Sequence, residues 1–197
     1  MGARLETDEL RFARGRRVRD SSRGLNVKQA FGFIAICALV AGCAAMAPSG
    51  PSAVADLAAT KGNAAAGNVT FTQKGDKVVV AAQLTGLAPG SHGFHIHEKG
   101  DCSSGDGMSA GGHFNPLGKP HAHPSTSDRH AGDMPMLVAD SAGNASLTAE
   151  LDVITIGGGS ADVIGKGVIV HKDPDDFKTQ PTGNAGARVA CGVIRKS

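Results

Sequence analysis

From Val54 onward the chain is a succession of short runs in which apolar and polar residues alternate, each closed by Gly, Asn, Asp or Pro. Lys77–Leu84 is the clearest, with Val78, Val80, Ala82 and Leu84 in register. A period of two is that of a β-strand, whose side chains point to opposite faces in turn. The runs are too short for long helices, and 28 glycines supply the turns between them. The pattern predicts strands over Val54–Thr60, Asn68–Gln73, Lys77–Leu84, His92–His97, Met136–Asp140, Ala145–Leu151, Val163–His171 and Arg188–Ile194. Eight short strands with turn signals make an all-β sandwich or barrel. No internal repeat is visible.

Two stretches break the pattern. Gly100–Pro135 and residues 172–187 have almost no apolar periodicity. A loop as long as the first needs a functional reason inside a compact domain. It holds Cys102, His113, His121, His123, His130 and Asp133. Just before it lies Gly93-Phe94-His95-Ile96-His97-Glu98. On a strand, His95 and His97 face one way and Phe94 and Ile96 the other. Two imidazoles on one rigid face suit a transition metal that prefers nitrogen ligands. His171 closes another predicted strand. Ligation by these residues would replace the apolar burial that the long loop lacks.

The N-terminal part is of another kind. Met1–Arg23 is polar, Arg-rich and without apolar periodicity. It reads as disordered or untranslated, with a start near Val27. Lys28 and the apolar run Phe31–Val40 form a basic segment and a short hydrophobic segment, too short to span a bilayer. The run ends in Leu39-Val40-Ala41-Gly42-Cys43. This resembles the lipobox of bacterial lipoproteins, which implies cleavage after Gly42 and a lipid on the Cys43 sulfur. Ordinary signal cleavage near Ala44, Ala45 or Ala47 is the alternative. Residues 1–42 are thus expected as leader and signal, 43–53 as a lipidated tether and 54–197 as the folded domain. From Cys43 onward twelve Lys and Arg face fourteen Asp and Glu, a net charge of −2 that offers nucleic acid no basic surface. Cys102 and Cys191, the two cysteines of the folded part, read as one disulfide in an exported protein, with two buried free thiols as the alternative.

Taken together, Gly93–Asp101, Ser109–Leu117, Arg129–Asp133, Val168–His171 and Thr182–Ile194 resemble copper/zinc superoxide dismutases, specifically their bacterial exported branch. The resemblance covers residues 54–197. It implies an eight-stranded Greek-key β-sandwich or barrel whose two long irregular loops form the metal site. It implies one copper per subunit on His95, His97, His113 and His171. One zinc per subunit would sit on His113, His121, His130 and Asp133, so that His113 serves both metals. It makes Asp175 the carboxylate that joins His95 to His121, and Arg188 the cation that guides an anion to copper. It pairs Cys102 with Cys191, gives His92 a structural role and sets Thr182 on the substrate channel. His123 has no counterpart and reads as a plain loop histidine. The short segment between His171 and Thr182 matches the bacterial branch, and leaves guidance to other cations, with Lys99 and Lys172 as candidates.

The implied reaction turns two superoxide ions and two protons into dioxygen and hydrogen peroxide, with Arg188 and His113 as the catalytic side chains. The implied setting is the bacterial periplasm, with a lipid anchor through Cys43 and a homodimer or a monomer as the assembly. A non-enzymatic copper- and zinc-binding envelope lipoprotein is the rival reading. It would need the ligands but not Arg188.

Overall fold

Val78, Val80, Ala82 and Leu84 are all buried, while the residues between them are half-buried or exposed. That alternation belongs to a strand lying on a core with its other face toward water. The computed structural model describes residues 50–197, in which ten strands run antiparallel. They are β1 (Ser52–Ala59), β2 (Ala66–Lys74), β3 (Lys77–Thr85), β4 (Gly90–His92), β5 (Phe94–His97), β6 (Leu137–Ala139), β7 (Ala145–Leu151), β8 (Gly167–His171), β9 (Arg188–Val193) and β10 (Arg195–Lys196). Among the described residues the regular helix is limited to one 3-10 turn, Met108–Ala110, and no helix is long and apolar enough to cross a membrane. The expected leader, signal and Cys43 lie outside the described residues.

The strands follow the order β4-β6-β7-β3-β2-β1-β9-β8-β5, with β10 beside β1. The two end strands of this path, β4 and β5, are separated in sequence by Gly93 alone. One continuous piece of chain therefore supplies both edges, and the sheet curls into a nearly closed barrel. Gly93 is where the chain changes partner, from β6 to β8. Its N–H donates to Asp173 O (2.9 Å) and its carbonyl accepts from His171 N (2.8 Å). A Cβ here would lie 2.7 Å from Ala185 Cβ, which only glycine avoids.

The interior is filled from both walls. Phe71 and Val80 are direct cross-strand partners and both are fully buried, as are Phe94, Ile96, Leu137, Leu151, Ile154 and Ile194. Each such side chain contributes about 1.5–3 kcal/mol by leaving water.

The predicted elements are corrected in four places. The single strand expected at His92–His97 is two, because of the partner change at Gly93. The strand expected from Val163 starts at Gly167, since Lys166 N closes a turn onto Val163 O. Ten strands stand where eight were expected, the tenth being Arg195–Lys196 against β1. The folded part begins before the expected Val54, because Ser52 and Ala53 already belong to β1, where Ala53 is buried between Phe71 and Lys196.

β5 pairs with β8 on one side. On its other side lies the long loop, through Phe114 N to Ile96 O (2.8 Å), Ile96 N to Gly132 O (2.9 Å) and Glu98 N to Gly112 O (2.9 Å). These bonds put His113 opposite His97 and Asp133 opposite His95. All four residues of β5 are therefore buried, Phe94 and Ile96 in the core and the histidines beneath the loops.

Candidate metal centre

His95, His97, His113 and His171 each spend one ring nitrogen on the protein. His95 Nε2 donates to Asp175 Oδ2 (2.7 Å), and His97 Nδ1 to Gly111 O (2.9 Å). His171 Nδ1 donates to Gly186 O (3.2 Å), and His113 Nδ1 to Asp133 Oδ1 (3.0 Å). The second nitrogen of each ring is buried and meets no protein partner: His95 Nδ1 and Nε2 of His97, His113 and His171. An unsatisfied buried polar atom costs about 1–3 kcal/mol, so four at one point need an explanation. These side chains offer ligand atoms that all lie within 4.8 Å of one another. Such a set fits one metal ion with nitrogen ligands.

His113, His121, His130 and Asp133 form a second group. Three Nδ1 atoms converge on Asp133 Oδ1, His121 at 2.9 Å, His113 at 3.0 Å and His130 at 3.5 Å. His130 Nδ1 and His113 Nδ1 are 3.3 Å apart. Ligands at about 2.0 Å from a tetrahedral zinc stand about 3.3 Å from each other, which these separations match. The other carboxylate oxygen is held away by the N–H groups of Ala122 and His130, both at 3.1 Å. His113 belongs to both groups, with Nδ1 in one and Nε2 in the other.

Asp175 links the two groups through His95 and His121, whose Nε2 donates to Asp175 Oδ1 (2.9 Å). With Nε2 so engaged, each ring turns Nδ1 toward its ligand group. This is the common way ligand imidazoles are oriented.

The electrostatics of the two groups differ. Burial pushes His95 down to about 3 and His171 down to about 4, and pushes His97 and His113 down as well. These rings are neutral and keep a lone pair for a metal. Burial also works against a charge on His121, but bonds to Asp133 and then Asp175 outweigh it and raise the ring to about 9. Burial likewise opposes the charge on Asp133, and the bonds from His113, His121 and His130 hold its carboxyl far below the usual range.

Arg188 opens β9 at the edge of the first group. Its guanidinium donates to Gly107 O and Gly111 O, both at 2.6 Å. Among the described residues no carboxylate forms an ion pair with it. The cation is thus fixed by carbonyls, with Asp106 as a nearby countercharge that does not touch it. Cys102 and Cys191 are joined, with Cα atoms 5.8 Å apart, and tie the long loop to β9 three residues after Arg188.

The remaining predicted residues lie further out. His92 is buried and bridges His171 O and Ala88 O at 2.8 Å each. His123 is exposed, hydrogen-bonded to Ser125 Oγ and packed edge-on against Phe177. Thr182 is half-buried, with no side-chain hydrogen bond among the described residues. Lys99 lines a surface depression with Glu98, Phe114 and Lys166, and Lys172 lines a cavity of about 150 Å³ beside His92. Neither lysine bonds to Arg188 or to the ligand groups. Residues that the sequence reading missed are the Gly107 and Gly111 carbonyls that hold Arg188, Gln180 on the His121 backbone, and Asp152, which pairs with Arg129 (2.5 Å). Carbonyl acceptors carry no sequence signal, and nothing around Gln180 marks it out.

A barrel with two histidine-rich groups sharing one ring defines a paired-metal protein of the all-β class. Residues 65–194 match the family model described as copper/zinc superoxide dismutase. The extracellular superoxide dismutase [Cu-Zn] of Drosophila melanogaster is 48% identical over 136 residues, which cover 65% of this chain and 74% of the fly protein. The crystal structure of the clock protein EA4 superposes with a TM-score of 0.67 at 44% identity, covering 73% of this chain and 93% of that one. The chain belongs to the copper/zinc superoxide dismutase family, an enzyme family whose cofactors are copper and zinc.

Proposed function

We propose that this protein dismutates superoxide, with copper held by His95, His97, His113 and His171, and zinc by His113, His121, His130 and Asp133. The observation that carries the reading is the set of four buried, unpartnered ring nitrogens, one of them on the ring that also serves the second group. Copper supplies one-electron exchange with superoxide, and zinc supplies fixed charge without redox chemistry. The chain's own part is to deliver the anion and a proton. Arg188 offers a permanent cation, free of any contact ion pair, at the first group. His113 Nε2 meets no other protein group, and His113 alone of the four rings belongs to the second group as well, so it is the atom placed to hold and release a proton there. Its other nitrogen is fixed at Asp133. Desolvation disfavours a proton on all four rings, so it is the place of His113 in both groups that singles it out for proton traffic with water.

Arg188 favours the enzyme over a passive metal buffer, because a guanidinium held by carbonyls beside the ligands, with no contact ion pair, has no use in storage. The direct test is superoxide decay after pulse radiolysis, with the copper- and zinc-loaded protein and with the metal-free form. Catalytic decay by the loaded form alone is the expected result; equal decay in both contradicts the proposal.

The setting we infer is the bacterial cell envelope, with the protein anchored by a lipid on Cys43. The lipobox-like Leu39–Cys43 supports the anchor and the bacterial setting, while the Cys102–Cys191 bond and the extracellular relative from the fly support export alone. Mass spectrometry of the mature N-terminus tests it. A diacylated Cys43 is expected, and an unmodified start beyond it contradicts the anchor.

A further inference from the structure

Three members of the second ligand group owe their place to β5 or to one another. His113 and Asp133 sit opposite β5, and His130 N donates to Asp133 Oδ2 (3.1 Å). His121 stands on a stretch with no strand of its own. Its own N–H and carbonyl are held instead by one side chain, 59 residues away, while Asp133 Oδ2 takes the next N–H, that of Ala122 (3.1 Å). Gln180 Oε1 accepts from His121 N (2.8 Å), and Gln180 Nε2 donates to His121 O (2.7 Å). The side-chain amide satisfies both main-chain groups, as a neighbouring strand would.

Asp175, from the same 172–187 loop, takes the ring Nε2. Three of the four polar atoms of His121 are thus held by that loop, and the fourth, Nδ1, faces Asp133. The chemistry asks for a glutamine. A Glu side chain keeps the acceptor but loses the donor, and a Lys keeps a donor but loses the acceptor.

We infer that Gln180 is a positioning residue for zinc: it fixes the backbone of His121 so that Nδ1 reaches the ion. The inference rests on the reading of His121 as a zinc ligand. The test is zinc release from the copper- and zinc-loaded protein to a chromophoric chelator, with copper content followed in parallel. Gln180→Ala is expected to speed zinc release about tenfold, the scale for loss of an outer partner of a ligand. Copper retention should be unchanged. Gln180→Glu, which keeps one of the two bonds, should fall between Gln180→Ala and the unaltered protein. Lys178→Ala, an exposed change in the same loop, should release zinc as the unaltered protein does.

Far-UV circular dichroism and the melting temperature of each metal-free variant separate a lost clamp from a lost fold. The inference is overturned if Gln180→Ala releases zinc within about twofold of the unaltered protein, far below the effect of a lost outer partner. It is also overturned if Lys178→Ala matches Gln180→Ala. His130→Ala checks the underlying reading. If it leaves zinc content intact, the zinc assignment fails and the inference fails with it. If it abolishes zinc while Gln180→Ala changes nothing, the inference alone fails.

Discussion

Arg188 and His97 share one acceptor: the Gly111 carbonyl oxygen takes a guanidinium N–H at 2.6 Å and the His97 Nδ1–H at 2.9 Å. The Arg188 guanidinium and a ring of the first ligand group are therefore set by the same atom of the long loop. Arg188→Ile should leave copper bound and lower the catalytic rate constant about tenfold, with a weaker dependence on salt. That is the low end of electrostatic steering, for which superoxide dismutases are themselves a standard example. Superoxide decay at two ionic strengths, with copper content, checks it; an unchanged rate would remove Arg188 from the mechanism.

Asp175 joins the two ligand groups, and its replacement should be felt at both. An Asn side chain has a single oxygen to accept with, so one of the two imidazole bonds is lost. Asp175→Asn is expected to weaken zinc binding by about 10- to 100-fold, the range for such partners. Competition with a metal chelator measures it.

Gly183 lies against that link. Its φ is +68°, and an added Cβ would fall 2.6 Å from His121 Nε2 and closer still to Asp175 Oδ1. Gly183→Ala should destabilise the fold by about 1–3 kcal/mol from backbone conformation alone and should also impair zinc binding. Thermal melts of the metal-free and loaded forms separate the two effects.

The two ligand groups should lose their metals at different pH, because His121 in one is raised while His95 and His171 in the other are lowered. In the metal-free protein His121 titrates near 9, so zinc must displace its proton at neutral pH. Apparent zinc affinity should rise about tenfold per pH unit between pH 7 and 9, with proton release in weakly buffered solution. His95 and His171, pushed to about 3 and about 4, take up protons only at low pH. On acidification zinc should leave before copper. For the metal-free fold, the raised His121 stabilises fully below about 6.5, and its contribution is lost as pH rises through 9. The depressed histidines contribute fully above about 6.5, and their contribution is lost as pH falls through 4 toward 3. Metal content against pH reports the order of release.

Reduction of the Cys102–Cys191 bond frees the loop whose carbonyls hold Arg188. Its closure is worth about 4 to 5 kcal/mol in the chain-entropy model for a separation of 89 residues. Cys102→Ser should lower the melting temperature markedly and reduce activity with the metals still bound.

The strands and the ligands were legible for different reasons. Val78, Val80, Ala82 and Leu84 declare a strand because one face is dry, and register follows from the period of two. The ligand groups were legible through motif resemblance, since His113, His121 and His130 carry no periodicity that would place them together. What stayed hidden depends on the main chain. The split at Gly93 is a change of partner within one alternating run, and alternation does not say which strand is the neighbour. The Gly111 carbonyl and the Gln180 clamp are positions of backbone atoms in loops, where no hydrophobic pattern constrains the path.

Every role proposed for the two groups requires His113 to stand between two different ions. Anomalous diffraction at the copper and zinc absorption edges, on oxidised and fully loaded crystals, tests it most directly. A copper peak is expected beside His113 Nε2 and a zinc peak beside His113 Nδ1. A map in which either metal lies away from that ring would contradict it.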